Sequence, residues 1–125
     1  VLEAILNGSR GLTYYWFGDF DPMDFYYHSK ALKSLAPHQS LLQNGKPVDY
    51  SGSNGSLHYT AFASKDEALV LVENFAGTSD IQTDLTLPVA GATKALLDGK
   101  ALPIEKGSVS ISVPPKEFRL VYFGK

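Results

Sequence analysis

Gly11-Leu12-Thr13-Tyr14-Tyr15-Trp16-Phe17-Gly18-Asp19-Phe20-Asp21-Pro22 is the stretch whose reading decides the fold. From Gly11 to Phe17 only Thr13 and the tyrosine hydroxyls are polar, the composition of a strand covered on both faces, as parallel strands are. The run closes on Trp16 and a small acidic loop. Asp21 then stands where a helix N-cap belongs. Pro22 follows at the first helical position, where no amide hydrogen is needed, and Asp24 sets negative charge against the helix dipole. A helix is predicted from Pro22 to about Leu35, with Phe25, Ser29, Leu32 and Ala36 on one face and Lys30 and Lys33 turned outward. Pro37 is expected to end it.

Upstream, Val1 to Leu6 reads as the last turns of a helix stopped by Asn7-Gly8. With neither an initiator methionine nor a charged leader, this beginning is expected to be a cut inside a larger protein, with processing of a precursor as the competing explanation. Helix, strand and helix in that order are the closing pieces of a βα repeat, and residues 1–49 are assigned to it. Between Tyr50 and Ser56 the composition changes to Ser51-Gly52-Ser53-Asn54-Gly55-Ser56, a flexible turn or linker by its residues.

Residues 50–125 are predicted to form a second unit, an antiparallel β-sandwich. Ile81, Thr83 and Leu85 alternate with Gln82, Asp84 and Thr86, and Val109, Ile111 and Val113 alternate with Ser108, Ser110 and Ser112. Leu69 to Val72 is apolar on both faces and is predicted as a central strand. Phe118 to Phe123 is the last strand, Asp98-Gly99 marks a hairpin, and Gly107 and Pro114-Pro115 break the strands around it. The fold class expected is therefore α+β.

Composition narrows the function classes. The 125 residues carry a net charge of −2 without a long charge run, which offers no electrostatic footprint for nucleic acid or an anionic membrane. Apolar runs fall well short of the roughly 20 residues of a membrane helix. The absence of cysteine removes thiolate nucleophiles and thiolate metal sites, and leaves the compartment open, an extracytoplasmic one included.

Trp16 is the residue singled out for binding, because an indole on a rigid strand end offers apolar and CH–π contact to the flat side of a pyranose. Core packing is the competing use of such a ring. Asp19, Asp21 and Asp24 form a close carboxylate cluster. Asp21 and Asp24 have helix-capping work to do, whereas Asp19 is left to accept a hydrogen bond from a sugar hydroxyl. No catalytic pair is assigned, since glycoside hydrolysis needs two carboxylates roughly 5–10 Å apart and flanking the scissile bond. His28, His38 and His58 are scattered over a helix, a loop and a strand without metal-site spacing, and neither a metal nor a cofactor is expected. No Gly-x-Ser-x-Gly phrase occurs.

From Gly8-Ser9-Arg10-Gly11 through Asp24 the chain resembles the last βα unit of glycoside hydrolase (β/α)8 barrels. Ser29 to Pro37 looks like the final barrel helix, and Leu41 to Val48 like the passage into a C-terminal β-domain. Val70 to Phe75 and Phe118 to Phe123 are similar to strands of such accessory sandwiches. The resemblance implies a terminal strand and helices of a (β/α)8 barrel followed by the β-sandwich, and thus the C-terminal segment of a hydrolase that is not catalytic alone. The catalytic acid and nucleophile of that group usually come from earlier strands. Residues at the end of strand eight line the sugar pocket, so Trp16 and Asp19 are the residues carried over. The implied partners are a carbohydrate substrate and the remaining barrel segment, on the same protein or on a companion chain.

Two other readings compete with that one. A carbohydrate-binding module would display Tyr59, Phe62, Tyr122 and Phe123 as an exposed row of rings, although their alternation fits core positions at least as well. A purely structural domain would need no such platform.

Overall fold

Eight short strands and three helices are laid out in chain order in the computed structural model, which describes residues 1–11 and 21–125. The predicted strand Gly11 to Phe17, with Trp16 and Asp19, lies outside the described residues beyond Gly11. The fold is α+β. Helices α1 (Leu2–Leu6), α2 (Pro22–Leu35) and α3 (Gln39–Asn44) come first, with a 3-10 turn at Ala36–His38 between the last two. The strands follow: β1 (Lys46–Val48), β2 (His58–Ala63), β3 (Glu67–Glu73), β4 (Ile81–Thr86), β5 (Lys94–Leu97), β6 (Lys100–Ala101), β7 (Ser108–Val113) and β8 (Phe118–Gly124).

The helix boundaries follow from their caps. α1 is closed by the Asn7 amide donating to the Glu3 carbonyl and the Gly8 amide donating to the Ile5 carbonyl, and Gly8 adopts φ +98°, a backbone angle that costs glycine least. At α2, the Asp21 carboxylate accepts from the Met23 and Asp24 amides while the Asp24 carboxylate accepts from the Asp21 amide. This reciprocal box satisfies three otherwise orphaned donors and starts the helix at Pro22. Pro37 does not release the chain into a loop. The 3-10 turn carries it into α3, a helix that the short phrase Gln39–Asn44 does not announce by periodicity. Gly45 then turns the chain into β1, and only a hydrogen fits there: a Cβ would stand 2.7 Å from the Phe62 ring and 2.8 and 2.9 Å from the Leu41 and Ala63 carbonyls.

Six strands form one antiparallel sheet in the order β1-β2-β3-β8-β5-β6, and β4 pairs with β7 in a separate two-stranded ladder. The period of two then sorts the side chains. On one face of β3, Leu69 and Leu71 meet Phe62 of β2 and Leu2, Leu6, Leu35 and Leu41 from the helices. On the other face, Ala68, Val70 and Val72 pack with Val121 and Phe123 against Leu85, Val109, Ile111 and Val113 of the ladder. β3 is thus the buried central strand its composition predicts, and β4 and β7 bury their alternate residues as expected. The Asp98-Gly99 turn joins β5 to β6 with φ of 51° and 77°, the positive pair that a two-residue hairpin requires.

Two local expectations change. The Ser/Gly segment after Tyr50 is fastened to β4, since the Ser53 amide donates to the Asp84 carbonyl, the Asp84 amide donates to Ser53 Oγ, and Tyr50 Oη donates to the Thr86 carbonyl. The buried side of α2 is also displaced from its predicted face. Leu35 is buried and Ala31 packs beside it, one i,i+4 pair, while Phe25 and Leu32 are 55% and 46% exposed. Met23, Tyr26 and Tyr27 are exposed as well. A helix apolar on so many sides presents more greasy surface than one sheet face can cover.

Candidate functional site

The first concavity of chemical interest lies where α1 crosses the end of β2 and β3. The antiparallel register sets His58 directly opposite Glu73 on the helix-facing side of the sheet. Burial of Leu2 and Leu6 seats α1 over that end and brings Glu3 into reach. His58 Nε2 lies 3.2 Å from Glu3 Oε1, 4.0 Å from Glu73 Oε2 and 3.5 Å from Thr60 Oγ1. One ligand atom from each of Glu3, His58 and Glu73 falls within 4.8 Å of the others. A cleft of about 420 Å³ opens beside them, lined also by Asn7, Asp49 and Tyr50.

The three groups are not equivalent. Glu3 and His58 are about half exposed, whereas the Glu73 side chain is 8% exposed. Glu73 Oε2 is buried and has no hydrogen-bond partner among the described residues. Burial pushes the Glu73 carboxyl above the ordinary carboxylate range and nearby Glu3 adds to this, while His58 and the N-terminal ammonium pull the other way. A single Nε2 atom therefore faces two carboxylates and can donate one proton to one of them; the geometry favours Glu3.

Sequence spacing could not reveal this group, because Glu3 and His58 are 55 positions apart and meet only through register and helix docking. The one legible sign was Glu73 itself, a charge closing a strand that is otherwise wholly apolar. His28 and His38 stand elsewhere. His28 lines clefts beside α2, and His38 stacks on Tyr122 with ring centroids 4.7 Å apart. Burial lowers the His38 pKa, partly offset by Glu67, and Tyr122, half-buried and donating to Glu67 Oε1 at 2.7 Å, is pushed up to about 12.

The four rings proposed as a binding row do not form one. Phe62 and Phe123 are buried and lie on opposite faces of the sheet. Tyr59 is half-buried and bonded through its hydroxyl to the Asn54 carbonyl and Thr83. Alternation along each strand sends neighbouring rings to opposite sides, so the platform of a binding module is lost to core packing. Asp21 and Asp24 are spent on the α2 cap. Trp16 and Asp19 lie outside the described residues.

No protein-family model matches the sequence, nor does any curated protein. Solved structures do. An endoxylanase of family GH30 from Clostridium papyrosolvens C71 superposes with a TM-score of 0.60 at 15% identity, over 76% of this chain and 27% of its own. An alpha-amylase from Anoxybacillus, described as a new glycosyl hydrolase subclass, gives 0.59 at 13% identity, over 86% of this chain and 24% of its own. The fold is shared with glycoside hydrolases. At these identities the likeness is one of architecture, and the chain spans about a quarter of the structures it matches. Among the described residues no helix is long and apolar enough to cross a membrane.

Proposed function

We propose that this chain is the C-terminal segment of a glycoside hydrolase and has no turnover by itself. In this reading residues 1–49 supply the last strand and helices of a (β/α)8 barrel. Residues 50–125 form the accessory domain, its large sheet, to which β1 (Lys46–Val48) adds an edge strand, and the β4–β7 ladder acting as the two layers of a β-sandwich. Trp16 and Asp19 sit on the sugar-binding rim, the indole stacking on a pyranose face and the carboxylate accepting from a hydroxyl. The substrate is a carbohydrate, and the partner is the rest of the barrel.

The observation that carries this reading is the asymmetry of the overlap: two hydrolases share most of this chain's fold, yet the chain accounts for about a quarter of either. The exposed apolar residues of α2, Met23, Tyr26 and Leu32 among them, support it further, because a barrel helix is covered by its neighbours. Active sites of such barrels lie at the carboxyl ends of the strands, the position assigned to Trp16.

The purified chain is expected to leave chromogenic aryl glycosides unhydrolysed, and appreciable hydrolysis by it overturns the proposal. In an enzyme that carries the segment together with its barrel, Trp16→Ala is expected to raise KM roughly threefold to tenfold, the worth of one aromatic contact. A KM that does not change removes Trp16 from the rim.

A further inference from the structure

We propose that Glu3, His58 and Glu73 form a binding site for a divalent transition-metal ion of the zinc type, which clamps α1 to the ends of β2 and β3. The inference is independent of the hydrolase reading, since it rests on three side chains and their packing alone.

The donor set comes first. One imidazole nitrogen and two carboxylate oxygens are a common zinc set, and a fourth position is left for water. An all-oxygen site would suit calcium or magnesium instead; the imidazole turns the preference toward zinc and its first-row neighbours. In a tetrahedral site with bonds of about 2.0–2.1 Å, ligand atoms stand about 3.3 Å apart. The Nε2 to Glu3 distance of 3.2 Å already has that value, and the 4.0 Å to Glu73 exceeds it by less than an ångström. Glu3 is exposed on a short surface helix, so its carboxylate can swing to complete the set.

The second observation is the unmatched oxygen. Glu73 Oε2 is buried within a residue only 7% exposed, points toward His58 and lacks a hydrogen-bond partner among the described residues. A buried carboxylate oxygen without a partner is costly, and no arrangement of the single His58 Nε2 proton serves both glutamates at once. A cation between the three atoms satisfies all of them: it takes the Nε2 lone pair of the neutral ring and neutralises two carboxylates that otherwise repel. The bare alternative, an ordinary histidine–glutamate ion pair, leaves Glu73 orphaned.

The link would be long-range in sequence, joining residue 3 to residues 58 and 73 and thereby fixing a five-residue helix too short to hold itself. Binding would thus show as stability, with no need of an enzymatic readout.

The test uses the 125-residue chain stripped with a chelator and titrated with Zn²⁺ alone, followed by calorimetry and by thermal unfolding. One ion per chain and a Tm that climbs with Zn²⁺ concentration are expected, and Co²⁺ in its place should give the intense visible absorption of a tetrahedral site. His58→Ala, at an exposed position that the fold tolerates, should weaken Zn²⁺ binding at least about 100-fold, beyond the loss typical of an outer-shell partner. Glu73→Gln should weaken it as well while leaving the metal-free Tm unchanged or raised, because the amide removes a buried charge. His28→Ala, in the cleft that Glu3 and Glu73 also line, should leave the Zn²⁺ affinity unchanged. A Tm indifferent to both metals overturns the proposal in favour of a plain ion pair. So does a metal response that survives His58→Ala or disappears with His28→Ala.

Discussion

The central strand β3 and the helix α2 make opposite use of apolar residues. In β3 the residues from Ala68 to Val72 are all buried, one face under the helices and the other under the β4–β7 ladder. In α2, fourteen residues long, only Leu35 is buried, while Phe25, Tyr26, Tyr27 and Leu32 stay exposed. Both segments are rich in hydrophobic side chains, so composition does not separate them. What separates them is coverage: β3 has a packed layer on each side within this chain, and α2 has one shared stripe. The β region is a finished core, and the helix keeps a surface suited to a further layer, as the hydrolase reading requires.

That contrast can be broken most sharply with two leucines. Leu71, 1% exposed, should lose about 2–5 kcal/mol of stability on replacement by alanine, through lost transfer energy and a residual cavity. Leu32→Ala, at 46% exposure, should cost about 0.5 kcal/mol or less in the same urea titration. Equal losses would erase the distinction between the two regions. In a longer protein carrying the barrel, the Leu32→Ala cost should grow, and a cost that stays small there would mean α2 is not covered.

A smaller effect probes how α2 holds itself with so little packing. Asp21→Ala removes the acceptor for the Met23 and Asp24 amides and should cost about 1 kcal/mol, accompanied by a loss of helical circular dichroism. If the helical signal persists undiminished, packing rather than capping sets the start of the helix.

The smallest effect lies at the junction of the two regions, where His38 stacks on Tyr122 of β8. Burial depresses the folded pKa of this ring below its ordinary 6.5. The folded state then favours the neutral ring, so its contribution is complete above about pH 6.5 and is lost as pH falls below that value, where the unfolded chain binds the proton first. Tm should therefore drop on acidification from about pH 7.5 to about pH 5, and His38→Phe should flatten part of that slope. An identical slope in the variant would show that His38 is not the group being charged.

Much of this was legible beforehand. The Asp21-Pro22 start of α2, the Asn7-Gly8 stop of α1, the alternation in β4 and β7 and the doubly buried β3 all follow from interactions within a few residues of each other. Caps and periodicity are local, and local physics is written into a short window of sequence. The α3 helix escaped because six residues carry too little pattern, and the inward face of α2 because an excess of apolar positions leaves several stripes to choose from.

Local chemistry along the chain therefore determined the helix caps and the alternation of the main strands. Only the tertiary structure decided which face of each element was covered, that the rings at Phe62 and Phe123 belong to the core, and that Glu3, His58 and Glu73 converge. The physical reason is distance: strand register and helix docking are settled by burying area between segments dozens of residues apart, and no periodicity in a single window records which of them will meet.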